Sequence, residues 1–331
     1  MRYDRLVPPK DLPARTQKLL GAVAARGVTI QAPAAHGVGP ALEVHTPSYL
    51  QFLAEIWERW VQLPDHGPEV WPNTFPYWSG RPEKAARPPC PAEGIVGQVG
   101  WYLGDLSVPM GPHSWTSTLR SCETAVSAAD ALIEGAGPVY ALCRPSGHHA
   151  RADRASGFCY VNNTAVAAQR LRARYERVAI LDVDAHHGDG TQQIFYNRAD
   201  ILTVSIHADP VNYYPFFTGY AGEGGSGAGE GFNLNLPLAH GAGGEAMNGA
   251  IETASERIAA FGAQALVVPL GFDAHRLDPI GVLKLEADDF GRIGALVRAI
   301  GLPTLAVQEG GYAIEAIGDC LESFLEGLDR G

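Results

Sequence analysis

Five short apolar runs each stop on a polar motif, and this limits the possible folds more than any other feature of the sequence. The runs are "VYALC" from Val139, "RVAILDV" from Arg177, "ILTVSI" from Ile201, "ALVVPLG" from Ala265 and "TLAVQEG" from Thr304. They are nearly continuous in apolar residues rather than alternating, which suits parallel strands covered on both faces. Helical periodicity fills several of the gaps, at 162–174, 244–261 and 286–300. Strand and helix in repeated succession predict an α/β fold with a mostly parallel central sheet flanked by helices. Such sheets bind ligands beyond the carboxyl ends of their strands. The polar motifs stand there: "RPSGHH", "DVDAHHGDG", "SIHADP", "GFDAH" and "EGGY". Five strand ends on one edge predict one site.

The bulk numbers narrow the class. With 46% apolar and 18% charged residues, 331 residues can bury a large core, either as two average domains or as one large α/β domain spanning 1–331. A net charge of −11 argues against a nucleic-acid partner. The five cysteines include no C-x-x-C pair, no charged-then-apolar leader opens the chain, and no 18-residue apolar run exists. The expectation is a soluble, cytoplasmic protein with reduced thiols and no membrane contact. Residues 64–115 hold ten of the 24 prolines and four of the six tryptophans, marking a long loop with a functional or interface role.

The chemistry concentrates in "DVDAHHGDG". Asp182, Asp184 and, if the extended geometry lasts, His186 share one strand face. A carboxylate and a neutral imidazole two residues apart suit zinc, which keeps three protein ligands and an open position in catalytic sites. Iron or cobalt would also accept such donors. Asp273, ending a neighbouring run, is the best third ligand, although a lone aspartate there is equally well explained as a cap or turn former. His148 and His149 form a second pair. Set against Asp182 and Asp189, they predict two Asp–His dyads, since a carboxylate behind an imidazole fixes its tautomer for acid–base work. The Tyr312 phenol can donate to a carbonyl oxygen opposite a metal.

Taken together, "RPSGHHA", "SGFCYVNN", "ILDVDAHHGDGTQ", "TVSIHADP", "GFDAHRLDP" and "EGGY" resemble the zinc-dependent histone deacetylase superfamily over nearly the whole chain. "GQVGWY", "LCRPSGHHA" and "VAAQRL" are most similar to its bacterial acetylpolyamine amidohydrolases. The resemblance implies the arginase/deacetylase fold and a zinc-dependent hydrolase that deacetylates a small N-acetylated amine. It implies Asp184, His186 and Asp273 as zinc ligands, and His149 as general base and acid, assisted by His148. Asp182 and Asp189 become the dyad partners, and Tyr312 the oxyanion donor. Gly157 would accept the substrate amide N–H through its carbonyl, between channel walls of Phe158 and Tyr214. Structural potassium is implied at Asp182, Asp184, His186, Ser205 and Ile206, and a second ion at Phe195, Arg198 and Ile201. Arg15 falls beside an internal cavity. The 64–115 segment resembles an insertion that pairs two subunits and narrows the channel mouth, so a homodimer is expected.

The likeness is incomplete in three places. The family carries about twenty residues, a strand and loop, before "LVPP". Here Met1 is five residues before Leu6, so one sheet edge is expected to be open or differently paired. Two loop glutamates of the amidohydrolases fall at Val96 and Ser107, with Asp105 and Glu93 nearby as substitutes. The gatekeeper glutamate of a polyamine-selective branch falls at Ile280. His275 is read as a rim residue that contacts substrate or merely solvent, and His187 is left without a catalytic role. Four alternatives therefore stand: an acetylpolyamine-selective deacetylase, a protein acetyl-lysine deacetylase, a xenobiotic or secondary-metabolite amidase, and a non-catalytic acyl-binding module.

Overall fold

The computed structural model describes residues 8–76 and 86–329. Leu6, Val7 and residues 77–85, with Trp78, lie outside the described residues, and so do parts of the "LVPP" and loop expectations. Five helices precede the first strand: α1 (Pro13–Ala25), α2 (Gly39–Leu42), α3 (Pro47–Trp60), α4 (Ile95–Tyr102) and α5 (Ser114–Ile133). The first three carry proline in their opening turn, where a missing N–H leaves no bond unmade. Strand and helix then alternate through β1 (Val139–Ala141), α6 (Asn163–Leu171), β2 (Val178–Asp182), α7 (Asp189–Phe195) and β3 (Ile201–Ala208). The chain continues with β4 (Asn233–Leu238), α8 (Gly244–Phe261), β5 (Ala265–Leu270), α9 (Ala287–Ala299), β6 (Thr304–Gln308) and α10 (Ile317–Asp329).

All strands run parallel in the order β1-β6-β5-β2-β3-β4. Five of them are the expected runs, and β4 is an addition. Both faces are covered, as the continuous apolar runs require. Val178 and Ile180 pack in one cluster with Leu53, Val126 and Ala167. Their neighbours Ala179 and Leu181 pack in a second with Ile251, Phe290 and Phe324. Each buried Leu, Ile or Phe contributes about 1.5–3 kcal/mol by leaving water. From β2 the chain passes to β3 on one side, and from β5 to β6 on the other. The β2/β5 boundary is therefore a topological switch point, where a crevice opens beyond the strand ends.

The described parts of the 64–115 segment pack back on their own chain. Val70 and Met110 pair across the segment, and Trp101 and Trp115 pack against the core. The Arg87 guanidinium lies 4.4 Å from the Trp101 ring centre. The exposed large apolar groups among the described residues of this segment are Phe75 and Val96. Among the described residues no helix is long and apolar enough to cross a membrane.

His45, just before α3, joins three segments. Its Nδ1 donates to the Arg151 carbonyl at 3.0 Å and its Nε2 accepts the Asn162 N–H at 2.9 Å, so the ring is neutral. Burial lowers its pKa to about 4. Because the folded value lies below the unfolded one, its contribution is complete above about pH 6.5 and is lost as pH falls toward 4. The stability advantage of the wild type over His45→Gln should therefore shrink by roughly 2–3 kcal/mol between about pH 7.5 and about pH 4.5. Urea unfolding of both proteins measures it. A pH-independent difference would show that the ring is not held neutral.

Candidate active site

The turn after β2 builds the centre. The strand ends at Asp182, so Asp184 and His186 are not on a shared strand face as expected. Asp182 Oδ1 accepts the Asp184 N–H at 3.0 Å, and Asp184 Oδ1 accepts the His186 N–H at 2.8 Å. These successive two-residue bonds curl the chain and separate the side chains. Asp182 turns to His148, while Asp184 and His186 turn to Asp273 beyond β5. His186 Nδ1 lies 3.2 Å from Asp184 Oδ1 and 2.9 Å from Asp273 Oδ2.

Asp184, His186 and Asp273 are all buried, and each offers a ligand atom within 4.8 Å of the others. Backbone N–H groups orient the carboxylates: Gly310 donates to Asp184 Oδ2 and Ala185 to Asp273 Oδ1, both at 2.9 Å. A Cβ at residue 310 would run into both carboxylates, which is why glycine stands there. The Tyr213 ring stacks on His186 at 4.5 Å. Two carboxylates and one imidazole, dry on all sides but the cavity, fit a divalent cation with an open position.

Both expected dyads are present. His148 Nδ1 meets Asp182 Oδ2 at 2.9 Å, and His149 Nδ1 meets Asp189 Oδ1 at 2.7 Å. Arg151 holds the other Asp189 oxygen at 2.9 and 3.1 Å. The environments differ although the rings are 4.1 Å apart. Burial would lower His148, but Asp182 and Asp184 outweigh it and push the group well up. Burial, then the charge of His148, lowers His149 to about 4. Gly157 has a φ of +54°, and a Cβ there would strike the His149 ring. The Tyr312 phenol is pushed well up by burial and keeps its proton.

Asp184, His186, Asp273, His148, His149 and Tyr312 line one cavity of about 500 Å³, together with Gly157, Phe158, Tyr214, Ser107 and Ile280. Several residues that the sequence did not reveal also line it: Ser146, Asn212, Tyr213, Phe216 and Val282. Three supports lie behind the wall. Glu309 accepts the N–H groups of Gly147 and His148 at 2.7 and 3.1 Å. Asp278 accepts the Tyr312 N–H at 2.6 Å. Arg15 is buried, with its guanidinium carbon 4.8 Å from the Tyr312 ring centre and a bond to the Glu309 carbonyl at 2.8 Å.

Other expected residues stand elsewhere. His275 is not a rim contact: it is buried outside the cavity lining, and its Nδ1 accepts the Leu277 N–H at 3.2 Å. It follows the end of β5, where side chains no longer alternate, so proximity to Asp273 in sequence does not carry it to the cavity. Val96 is 49% exposed, Glu93 is exposed, and neither lines the cavity. His187 is a buried structural group bonded to Gln192 at 3.1 Å and Thr218 at 3.3 Å. Asp182 and Ser205 border a small separate void, which Ile206 does not. Phe195, Arg198 and Ile201 lie around the end of α7, where the Phe195 carbonyl accepts the Arg198 N–H at 2.9 Å.

Comparison with known proteins finds similarity over nearly the whole chain. The family model described as "Histone deacetylase domain" matches residues 10–328. An acetylpolyamine amidohydrolase of Burkholderia pseudomallei is 44% identical over 98% of this chain and 92% of its own. Acetylpolyamine amidohydrolase 1 of Pseudomonas aeruginosa is 42% identical over 98% of this chain and 93% of its own. The crystal structure of an acetylpolyamine aminohydrolase from Burkholderia pseudomallei superposes with a TM-score of 0.94 at 42% identity, covering 100% of this chain and 94% of that one. By fold and near full-length match, the chain belongs to the histone deacetylase domain family.

Proposed function

We propose that this chain is a zinc-dependent hydrolase of linear amide bonds that removes the acetyl group from a small N-acetylated amine. The observation that carries this reading is the convergence, in one cavity, of a buried Asp–His–Asp triad, two histidines each backed by an aspartate behind the wall, and a protonated phenol. The acetylpolyamine amidohydrolases among its relatives support an acetylated amine as the substrate class.

Asp184, His186 and Asp273 would hold the zinc ion. When bound, it polarises the amide carbonyl and makes water acidic enough to attack near neutral pH. His149, its Nδ1 engaged by Asp189, has Nε2 left for the cavity. That nitrogen takes the proton of the attacking water and returns it to the departing amine. The charge on His148, held by Asp182, stands beside it. Tyr312 donates to the carbonyl oxygen as negative charge develops there. The Gly157 carbonyl accepts the substrate amide N–H, and Phe158 and Tyr214 confine the acyl-bearing chain.

A structural potassium ion at Asp182, Asp184, His186, Ser205 and Ile206 belongs to the same proposal. The void beside Asp182 and Ser205 measures about 10 Å³, near the smallest that holds one water-sized occupant. The second potassium site, at Phe195, Arg198 and Ile201, rests on the resemblance alone. A cytoplasmic homodimer joined through 64–115 also belongs here, supported by exposed Phe75 and Val96. Melting in potassium against sodium reads the ion sites, and sedimentation reads the dimer.

Acetate release by the zinc-loaded protein tests the main reading, across small N-acetylated amines and acetyl-lysine peptides. Turnover on small amides, removed by chelation and restored by zinc, is the expected result. No acetate from any substrate, with zinc bound at one per chain, would refute it.

A further inference from the structure

Tyr312 stands at the end of a segment with little means of fixing itself. It follows Gly310 and Gly311, and Gly311 has a φ of +113°. Close packing excludes side chains at both positions. A Cβ at residue 310 would strike Asp273 and Asp184, and one at residue 311 would strike Phe272. The same two glycines leave the backbone wide conformational freedom. The bearing of the Tyr312 ring on the cavity is therefore set from outside the segment. Arg15, on α1, bonds the carbonyls of Glu309 and Gly311. The Tyr312 N–H is left to a different group.

That group is Asp278, whose two oxygens do separate work. Oδ1 accepts the N–H groups of Ile280 and Gly281 at 3.0 and 3.2 Å, which closes a tight turn. Oδ2 accepts the Tyr312 N–H at 2.6 Å, 34 positions away in the chain. A residue that only formed a turn would need the first oxygen and not the second. The turn itself is firmly seated. Gly281 lies so close to the Asp273 carbonyl that a Cβ would strike it, and the Ile280 carbonyl accepts the Tyr213 phenol at 3.0 Å. Asp278 is buried, where a bond from an N–H to a carboxylate is stronger than one between neutral groups. Tyr312 and Ile280 line the cavity, while Asp278 stands behind them.

We propose that Asp278 is a positioning residue, which holds the Tyr312 backbone so that the phenol meets the carbonyl oxygen of a bound amide. The proposal rests on the deacetylase reading above and deepens it. A donor to a developing oxyanion acts only at hydrogen-bond distance from that oxygen. Misplacing such a group by about 1 Å can cost about 10²-fold in rate.

Asp278→Asn keeps the size and one acceptor oxygen, so it can serve the turn or Tyr312 but not both. On the zinc-loaded full chain with a small N-acetylated amine, this change should lower kcat by about 10–10²-fold. KM and zinc content should stay within about threefold of wild type. In a Tyr312→Phe background the same change should lower kcat by less than about threefold, because the group it acts through is already gone. Equal losses in the two backgrounds overturn the proposal, as does a loss confined to KM or to zinc content. A second readout needs no turnover. In protein labelled with 3-fluorotyrosine, the Tyr312 fluorine resonance is assigned by its absence from Tyr312→Phe. It should shift or broaden in Asp278→Asn, and an unchanged resonance in the folded variant overturns the proposal. Should Asp278→Asn fail to fold, Asp278→Ser, with one small acceptor, takes its place in both measurements. If the wild type releases acetate from no acetylated amine, the deacetylase reading fails, while the fluorine spectrum still decides whether Asp278 holds Tyr312.

Discussion

Replacing His149 with alanine should lower kcat on an N-acetylated amine by about 10²–10⁴-fold, with zinc content and substrate affinity little changed. The size follows from the job assigned to one nitrogen. Asp189 fixes the Nδ1 side of the ring at 2.7 Å, and Arg151 fixes Asp189 in turn. The lone pair on Nε2 is then aimed by two successive contacts rather than by the histidine alone. Protonation states divide the labour between the neighbouring rings. His148 is pushed well up because Asp182 and Asp184 outweigh its burial, while burial and the charge of His148 hold His149 at about 4. Two like groups driven apart by their surroundings are the usual signature of separate acid–base duties. His149 is the one that is neutral, and so able to accept a proton, at neutral pH. Alanine removes that acceptor but leaves the triad, Tyr312 and the channel walls in place. Steady-state kinetics with metal analysis separates the terms. A kcat within about threefold of wild type would reassign the base.

How far the sequence could be read depends on what kind of force holds each residue. Strands such as Val178–Asp182 were legible because both of their faces meet apolar clusters, which leaves a continuous hydrophobic run. β4 was not, because Asn233 and Asn235 alternate with Leu234 and Leu236 beside a glycine-rich stretch. Those asparagines are nevertheless buried, bonding to Gln192 at 2.9 Å each. A polar network there takes the place that apolar packing has elsewhere, and composition does not distinguish it from a loop.

The site was legible for the opposite reason. Buried aspartates and histidines at strand ends are costly without partners, so clustering them in sequence implies that partners exist. Less visible were contacts made through the backbone. Glu309 grips the N–H groups of Gly147 and His148, and Asp278 grips that of Tyr312. Both acids sit inside motifs that stood out, "EGGY" and "GFDAHRLDP", yet nothing local names their distant partners. Asp105 is similar: it was noticed only as a possible substitute, and its four bonds depend on the fold bringing Gly157 and Tyr214 to it.

Chelation should remove activity and lower the melting temperature together, and Asp273→Asn should abolish both responses to zinc. Asp184 and Asp273 are wholly buried, and carboxylates so close repel in a dry site. In the metal-free protein the compensating charge is a proton on His186. Burial opposes that charge, but Asp273 and Asp184 outweigh it and raise the ring to about 10. One imidazolium, 2.9 Å from Asp273 and 3.2 Å from Asp184, still leaves a net negative charge buried. Exchanging that proton for a divalent cation neutralises both acids, so affinity should rise with pH. At a free zinc concentration of about 100 times Kd, the folded state gains about 2.7 kcal/mol. The amide introduced by Asp273→Asn would keep a side-chain acceptor for the Ala185 N–H, now bonded at 2.9 Å, but would remove one of the two charges. The metal-free variant should therefore be at least as stable as the metal-free wild type, with a melting temperature that zinc no longer raises. Melting curves with and without zinc, beside zinc content by mass spectrometry, give the comparison. Wild-type zinc stoichiometry in Asp273→Asn, or full activity and melting temperature in the chelated wild type, would move the metal away from this triad.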